Sequence, residues 1–185
     1  MSLLPIGLLL FFAVHLIPTV PGLRAALVAR LGEMPYKGAF ALASLLGLVL
    51  VVVGKSAAPH VALWVPPGWG AGAARFLMPL AFFLVVAAYL PSNVRWITRH
   101  PMLWGISIWA VAHLLANGDA ASVGLFGSFL AYSVFDMRSA SRRAPVLVLE
   151  RRSLVWDVVA VAVAFAAFLL VAFLHARLFG VPAFV

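Results

Sequence analysis

Residues 154–174, LVWDVVAVAVAFAAFLLVAFL, decide the fold class. They form an apolar run whose one ionisable residue, Asp157, stands near its start. A helix crossing lipid needs about 20 such residues, and nothing in this run alternates polar with apolar as a half-buried strand does. Lipid offers the backbone no hydrogen-bond partners, so the run reads as a spanning helix. Five further apolar stretches, at 3–17, 39–53, 76–90, 102–116 and 120–135, repeat the signal. Those at 102–116 and 120–135 fall below the usual ~20 residues, and they are expected to draw on flanking residues or to form a shallow hairpin. The expectation is an all-α integral membrane bundle of about six transmembrane helices, one domain over residues 1–185.

Composition supports that class. Of 185 residues 65% are hydrophobic and 10% charged, with a mean hydropathy of +1.13. A soluble domain of this size leaves too much surface exposed to hide so many apolar groups, so they must meet acyl chains. There is no cysteine. Disulfides, thiolate metal sites, thiol nucleophiles and covalent haem attachment through C-x-x-C-H are therefore excluded. The start, MSLLPIGLLLFF, lacks the basic region of a cleavable signal and is read as a retained first span.

The net charge of +8 is spread over short connections in no dense tract, which argues against nucleic acid and for lipid headgroups and topology. The first, third and fifth connections hold Arg24, Arg30 and Lys37; Arg95 and Arg99; and Arg138, Arg142, Arg143, Arg151 and Arg152. The other side holds only Lys55, Arg75 and Arg177. This bias predicts that loops 1, 3 and 5 are cytoplasmic and both termini outside. Pro18 and Pro21 are expected to end the first helix, and Trp64, Pro66, Pro67, Gly68 and Trp69 to form an outer loop with rings at headgroup depth. Residues 136–153, DMRSASRRAPVLVLERRS, read as a surface loop.

Polar residues inside the apolar runs carry the functional information, because lipid makes them costly. They are His15, His113, Ser44, Ser107, Ser128, Tyr132 and Ser133, with His100 at a boundary. No Asp, Glu, Lys or Arg stands mid-span, which counts against proton-coupled transport. Neutral imidazole is a common ligand for haem iron, and two histidines on different helices could clamp one iron. The ordinary alternative is that each bonds a serine or carbonyl of a neighbouring helix. Before His15 lie Phe11, Phe12, Leu8 and Gly7; before His113 lie Trp109, Ala110, Ile106 and Gly105. Such mixtures of rings and small residues suit either a porphyrin wall or plain helix packing.

His100 stands 13 residues before His113, which on one helix separates them by about 140° and roughly 20 Å, so the two cannot share an iron. A pairing of His15 with His113 implies an axial offset of about 10 Å, whereas His15 with His100 would match in depth. His100 precedes Pro101 and suits a helix start at the membrane surface. Asn117 and Gly118 are expected to end a helix in the left-handed conformation and Asp119 to cap the next, while Asn117 or Asp119 could also orient the His113 ring.

The segments FFAVHLIPTVPGLRAALVARLGEMPYKG (11–38), LWVPP (63–67) and AYLPSNVRWITRHPMLWGISIWAVAHLLANGDAASVGLFGSFLAYSVFD (88–136) resemble the NnrU family of bacterial membrane proteins. The resemblance covers about 4–136 and leaves the last helix, about 154–176, unplaced. It implies a bacterial inner-membrane protein linked to nitrite and nitric oxide metabolism, and a kinship with the zeta-carotene isomerase of plants and cyanobacteria, a haem b enzyme with histidine ligands. Carried over by position, the iron ligands would be His15 and His113; the residues read above beside them, Trp109, Phe11, His100, Asn117 and Asp119, are the further candidates for cofactor binding. A redox, sensing or isomerase-like role on an apolar substrate follows from that kinship, although the cysteine of the isomerase has no counterpart here. A fainter resemblance, R-H-P-x-x-x-G at Arg99, His100, Pro101 and Gly105, is to membrane methyltransferases that act on lipid or prenyl substrates with S-adenosylmethionine. Their downstream glutamate could only be Glu150. A non-catalytic accessory protein is the third alternative.

Overall fold

The computed structural model describes residues 3–143 and 151–183, which are mainly helical and fall into two compact units, Met1–Val61 and Ala62–Val185. The first unit holds α1 (Leu3–Leu16), a 3-10 turn (Ile17–Thr19), α2 (Pro21–Leu31) and α3 (Glu33–Ser56). Pro18 and Pro21 end the first helix as expected, and the chain bends by 98° into α2, with Pro21 at the first helical position. α2 ends at Gly32, whose φ of +83° few other residues adopt, and α3 begins at once with an exposed Glu33–Lys37 ion pair of 2.7 Å.

α1 lies along α3 because glycines let the two backbones touch. A Cβ on Gly7 would meet the Val51 nitrogen at 2.6 Å, one on Gly47 the Phe11 nitrogen at 2.9 Å, and one on Gly54 the Leu4 Cα at 2.6 Å. In lipid, where apolar surface gains little by hiding from its surroundings, close contact between small residues is the chief source of helix association.

The second unit contains α4 (Gly70–Ala87), the single turn α5 (Val94–Ile97), α6 (Pro101–Ala116), α7 (Ala120–Arg143) and α8 (Val155–Phe179). α4 packs against both α6 and α8, and α6 packs in turn on α7. α4 and α6 touch backbone to backbone at two glycines: a Cβ on Gly105 would lie 2.8 Å from the Ala81 carbonyl oxygen, and one on Gly70 would press closer still on the Leu115 carbonyl oxygen. Leu84, Ala87, Val94 and Ala160 form the buried cluster that joins α4, α5 and α8. Polar bonds fix the start of α8: Asn93 donates from its backbone nitrogen and its Nδ2 to the Asp157 carboxylate, both at 2.7 Å, and its Oδ1 accepts from the Arg152 backbone at 2.9 Å.

Four helices, α3, α4, α7 and α8, are long and apolar enough to cross a membrane, and the bent pair over Leu3–Leu31 makes a fifth if counted as one span. α6, at 16 residues, is shorter, so the number six is not reached by length and composition. Large side chains such as Phe76, Phe173 and Leu42 stand exposed on these helices, as lipid-facing residues do. The chain is an all-α membrane protein.

Three expectations are corrected. The first connection is not a loop: Arg24 and Arg30 lie on α2 and Lys37 lies in α3. Residues 136–143, read as loop, continue α7, where Arg143 pairs with Asp136 at 3.1 Å and the final basic residues oppose the helix dipole; residues 144–150, Glu150 included, lie outside the described residues. The Asn117–Gly118 turn is not left-handed, since Asn117 is extended and Gly118 has no positive φ. Gly118 is needed there for close approach: its carbonyl accepts from the backbones of Leu63 and Trp64 at 2.8 and 3.2 Å, and a Cβ would press on Pro66 at 3.1 Å. Asp119 does cap α7, accepting from the Ser122 nitrogen at 3.0 Å and the Ser122 hydroxyl at 2.5 Å.

Candidate functional site

His113 occupies the last turn of α6, where the helix is about to yield to the Asn117 bend. Its Nδ1 pairs with the Trp109 carbonyl oxygen at 2.9 Å. A carbonyl only accepts, so Nδ1 carries the proton and Nε2 keeps a lone pair. The ring stacks on Phe126 of α7 at 4.4 Å and leans on Trp109 at 5.3 Å, which in turn meets Phe126 and Phe129 edge-on. Aromatic packing therefore fixes one side of the imidazole.

On its other side the residue lines a cavity of about 310 Å³. One face of α4, with Ala71, Ala74, Arg75, Met78 and Phe82, forms a wall at helical spacing, and Phe168 and His175 of α8 form the opposite one. Phe82 and Phe168 meet edge to face at 5.9 Å. The chain beyond α8 adds to the lining: Gly180, at φ +79°, ends the helix in the left-handed conformation, and Val181, Pro182 and Ala183 line the cavity. There the Val181 carbonyl oxygen accepts from His175 Nδ1 at 2.6 Å. An apolar cavity of a few hundred Å³ with a few convergent polar groups is the common form of a small-molecule site.

The residues singled out from the sequence are divided between the two units. His113, Trp109 and Asn117 meet at or beside the cavity, but Asn117 donates to the His113 backbone carbonyl at 2.8 Å and does not touch its ring. Asp119 is committed to the α7 cap. His15 and Phe11 belong to the first unit, where His15 Nδ1 bonds the Phe11 carbonyl at 2.7 Å and its ring stacks on Phe11 at 3.9 Å. Neither His15 nor His113 uses Nδ1 on a neighbouring helix; each uses the carbonyl one turn back on its own. Ser44, Ser107, Ser128 and Ser133 do the same with their hydroxyls.

His100 lies at the opposite end of α6 from His113, with Nε2 and the Ser141 hydroxyl 2.7 Å apart, which ties the start of α6 to the end of α7. Burial holds its imidazole below the usual range, the neighbouring Arg99 charge adds to this, and Asp136 opposes both. Beside it Nε and Nη2 of Arg99 are buried without a hydrogen-bond partner. The arginine-histidine-proline segment thus forms a joint between helices.

The sequence did not mark His175, Phe82 or Phe168 as site residues, and it marked Arg75 for topology alone. A signal for His175 was present: like His15 and His113, it closes a long apolar helix. Among the described residues no three His, Asp or Glu side chains gather as a bare metal ion would require.

A family model described as NnrU protein matches residues 3–183, nearly the whole chain and α8 with it. No curated protein and no solved structure matches.

Proposed function

The chain belongs to the NnrU family, and from that premise we propose that it is a haem b protein of the bacterial inner membrane, with His113 an iron ligand and a redox, sensing or isomerase-like role in nitrite and nitric oxide metabolism. One observation carries the proposal. His113 presents to a largely apolar cavity an imidazole whose tautomer and orientation are already set by the Trp109 carbonyl, the outer bond that ligating histidines characteristically make. The donor set also suits a macrocycle better than a bare ion, because a porphyrin supplies four nitrogens itself and asks the protein for only one or two.

Each residue then has a task. Trp109 fixes the His113 ring, Phe126 and Phe129 pack behind it, Phe82 and Phe168 offer an apolar wall, and the positive charge of Arg75 favours carboxylates at the cavity edge. Bound there, haem supplies one-electron chemistry and a centre to which nitric oxide can bind. The ten-to-three distribution of Lys and Arg across the two sides supports placing the ends of α2, α5 and α7 in the cytoplasm.

The test is titration of the detergent-purified protein with hemin. Uptake near one per chain, with a Soret band that is lost or strongly weakened in His113→Ala, is the expected result. A folded protein that takes up no hemin refutes the proposal.

A further inference from the structure

We infer that His175 is the second imidazole of this cavity, so that an iron bound there is held by His113 from α6 and His175 from α8. The inference deepens the haem reading and rests on it.

Both residues line the same cavity. Each directs Nδ1 at a backbone carbonyl oxygen, His113 at Trp109 and His175 at Val181. Since neither carbonyl can donate, Nδ1 is the donor in both rings, and a neutral ring bonded in this way has its lone pair on Nε2. A pair of imidazoles whose Nδ1 atoms are both committed to backbone carbonyls thus lines one cavity. It is a good ligand pair for one electron-deficient centre.

The cap that ends α8 also supports the His175 ring. His175 lies one turn before the end of α8, where its ring packs against Phe179 at 4.9 Å. Gly180 adopts a φ of +79°, donates its N–H to Ala176 and reverses the chain, which brings the Val181 carbonyl back to Nδ1 of His175. A side chain at position 180 would be strained in that conformation. The tail residues therefore act as the outer support of His175, as the Trp109 carbonyl does for His113. With no third His, Asp or Glu joining the pair among the described residues, an iron whose equatorial sites are filled by a porphyrin is the centre that fits two ligands.

Ferric spin state, read by electron paramagnetic resonance on hemin-loaded protein in detergent, tests the assignment without reference to activity. Wild type is expected to be low-spin and six-coordinate. His175→Ala should keep hemin but become high-spin, and added imidazole should restore the low-spin signal. Gly180→Ala keeps the ligand but disturbs its support, and should weaken hemin affinity about 10-fold or more. If His175→Ala stays low-spin with wild-type affinity, or if only His15→Ala changes the spin state, the assignment is overturned while haem binding stands. Should wild type bind no hemin at all, the haem reading itself fails and this inference with it.

Discussion

Gly105 offers the sharpest test of what positions the site, because it sets how closely α6, which carries His113, can lie on α4. An alanine there would place its Cβ 2.8 Å from both the Ala81 carbonyl oxygen and Val85 Cγ2, where ordinary contact begins at 3.4 Å. The helices must part by about 0.6 Å or the side chain must distort, and overpacking of that kind costs about 1–3 kcal/mol. Against this stands the gain of about 1 kcal/mol from replacing a helical glycine by alanine. Gly127 on α7 supplies the control, since a Cβ there has nothing within 4 Å. Gly127→Ala should therefore raise the midpoint of thermal unfolding, and Gly105→Ala should fall below it by the packing cost alone. At about 2–4 °C per kcal/mol for a chain of this size, the gap between the two variants is roughly 2–12 °C. Tryptophan fluorescence during heating in a mild detergent measures it. Equal midpoints for the two variants would mean that the α4–α6 seam is not tight, and the argument from backbone contact would be wrong.

Two further outcomes follow from the polar groups. Asp119→Ala removes the acceptor for both the Ser122 nitrogen and hydroxyl, and should cost about 1–2 kcal/mol of stability by the same melting assay; the loss should be much smaller in a Ser122→Ala background if the hydroxyl bond carries a large share of it. His100 gives a pH dependence of defined sign: its folded imidazole titrates below the unfolded value, so both states are neutral above about pH 6.5, and as pH falls through that value the unfolded chain takes the proton first. Stability should then decline with falling pH and level off below the folded value, and His100→Gln should flatten that part of the profile; an unchanged slope would show that His100 is not held neutral.

The fold was legible where lipid is the constraint and less so where water is. The stretch 102–116 appears as Pro101–Ala116, because proline sets its start and the bend at Asn117 its end. Segments carrying arginine were read as loops, yet α2 is helical throughout and α7 runs eight residues past its apolar stretch. Hydropathy marks where a helix enters lipid and not where it stops, since basic residues at a helix C-terminus are favoured by its dipole and can reach the headgroups. The first span was equally ambiguous. Pro18 and Pro21 announced a break but not its 98° angle, which depends on how the following turns close.

The candidate site was half legible for a related reason. His113 stood out because an imidazole in an apolar run needs an explanation, and Asp119 because Asn-Gly-Asp has an obvious capping chemistry. His175 did not, since it stands at the C-terminal end of the apolar stretch, where a polar residue is unremarkable. What makes it informative is tertiary: Gly180 turns the tail back, Val181 takes the Nδ1 proton, and α4 brings both histidine-bearing helices to one cavity. None of these is a local property of the sequence around position 175. The same reasoning explains why Asn117, placed one turn after His113, does not orient its ring. In a helix the carbonyl four residues earlier is already aimed at that position, so the Trp109 oxygen reaches Nδ1 and the Asn117 amide is left to the His113 backbone.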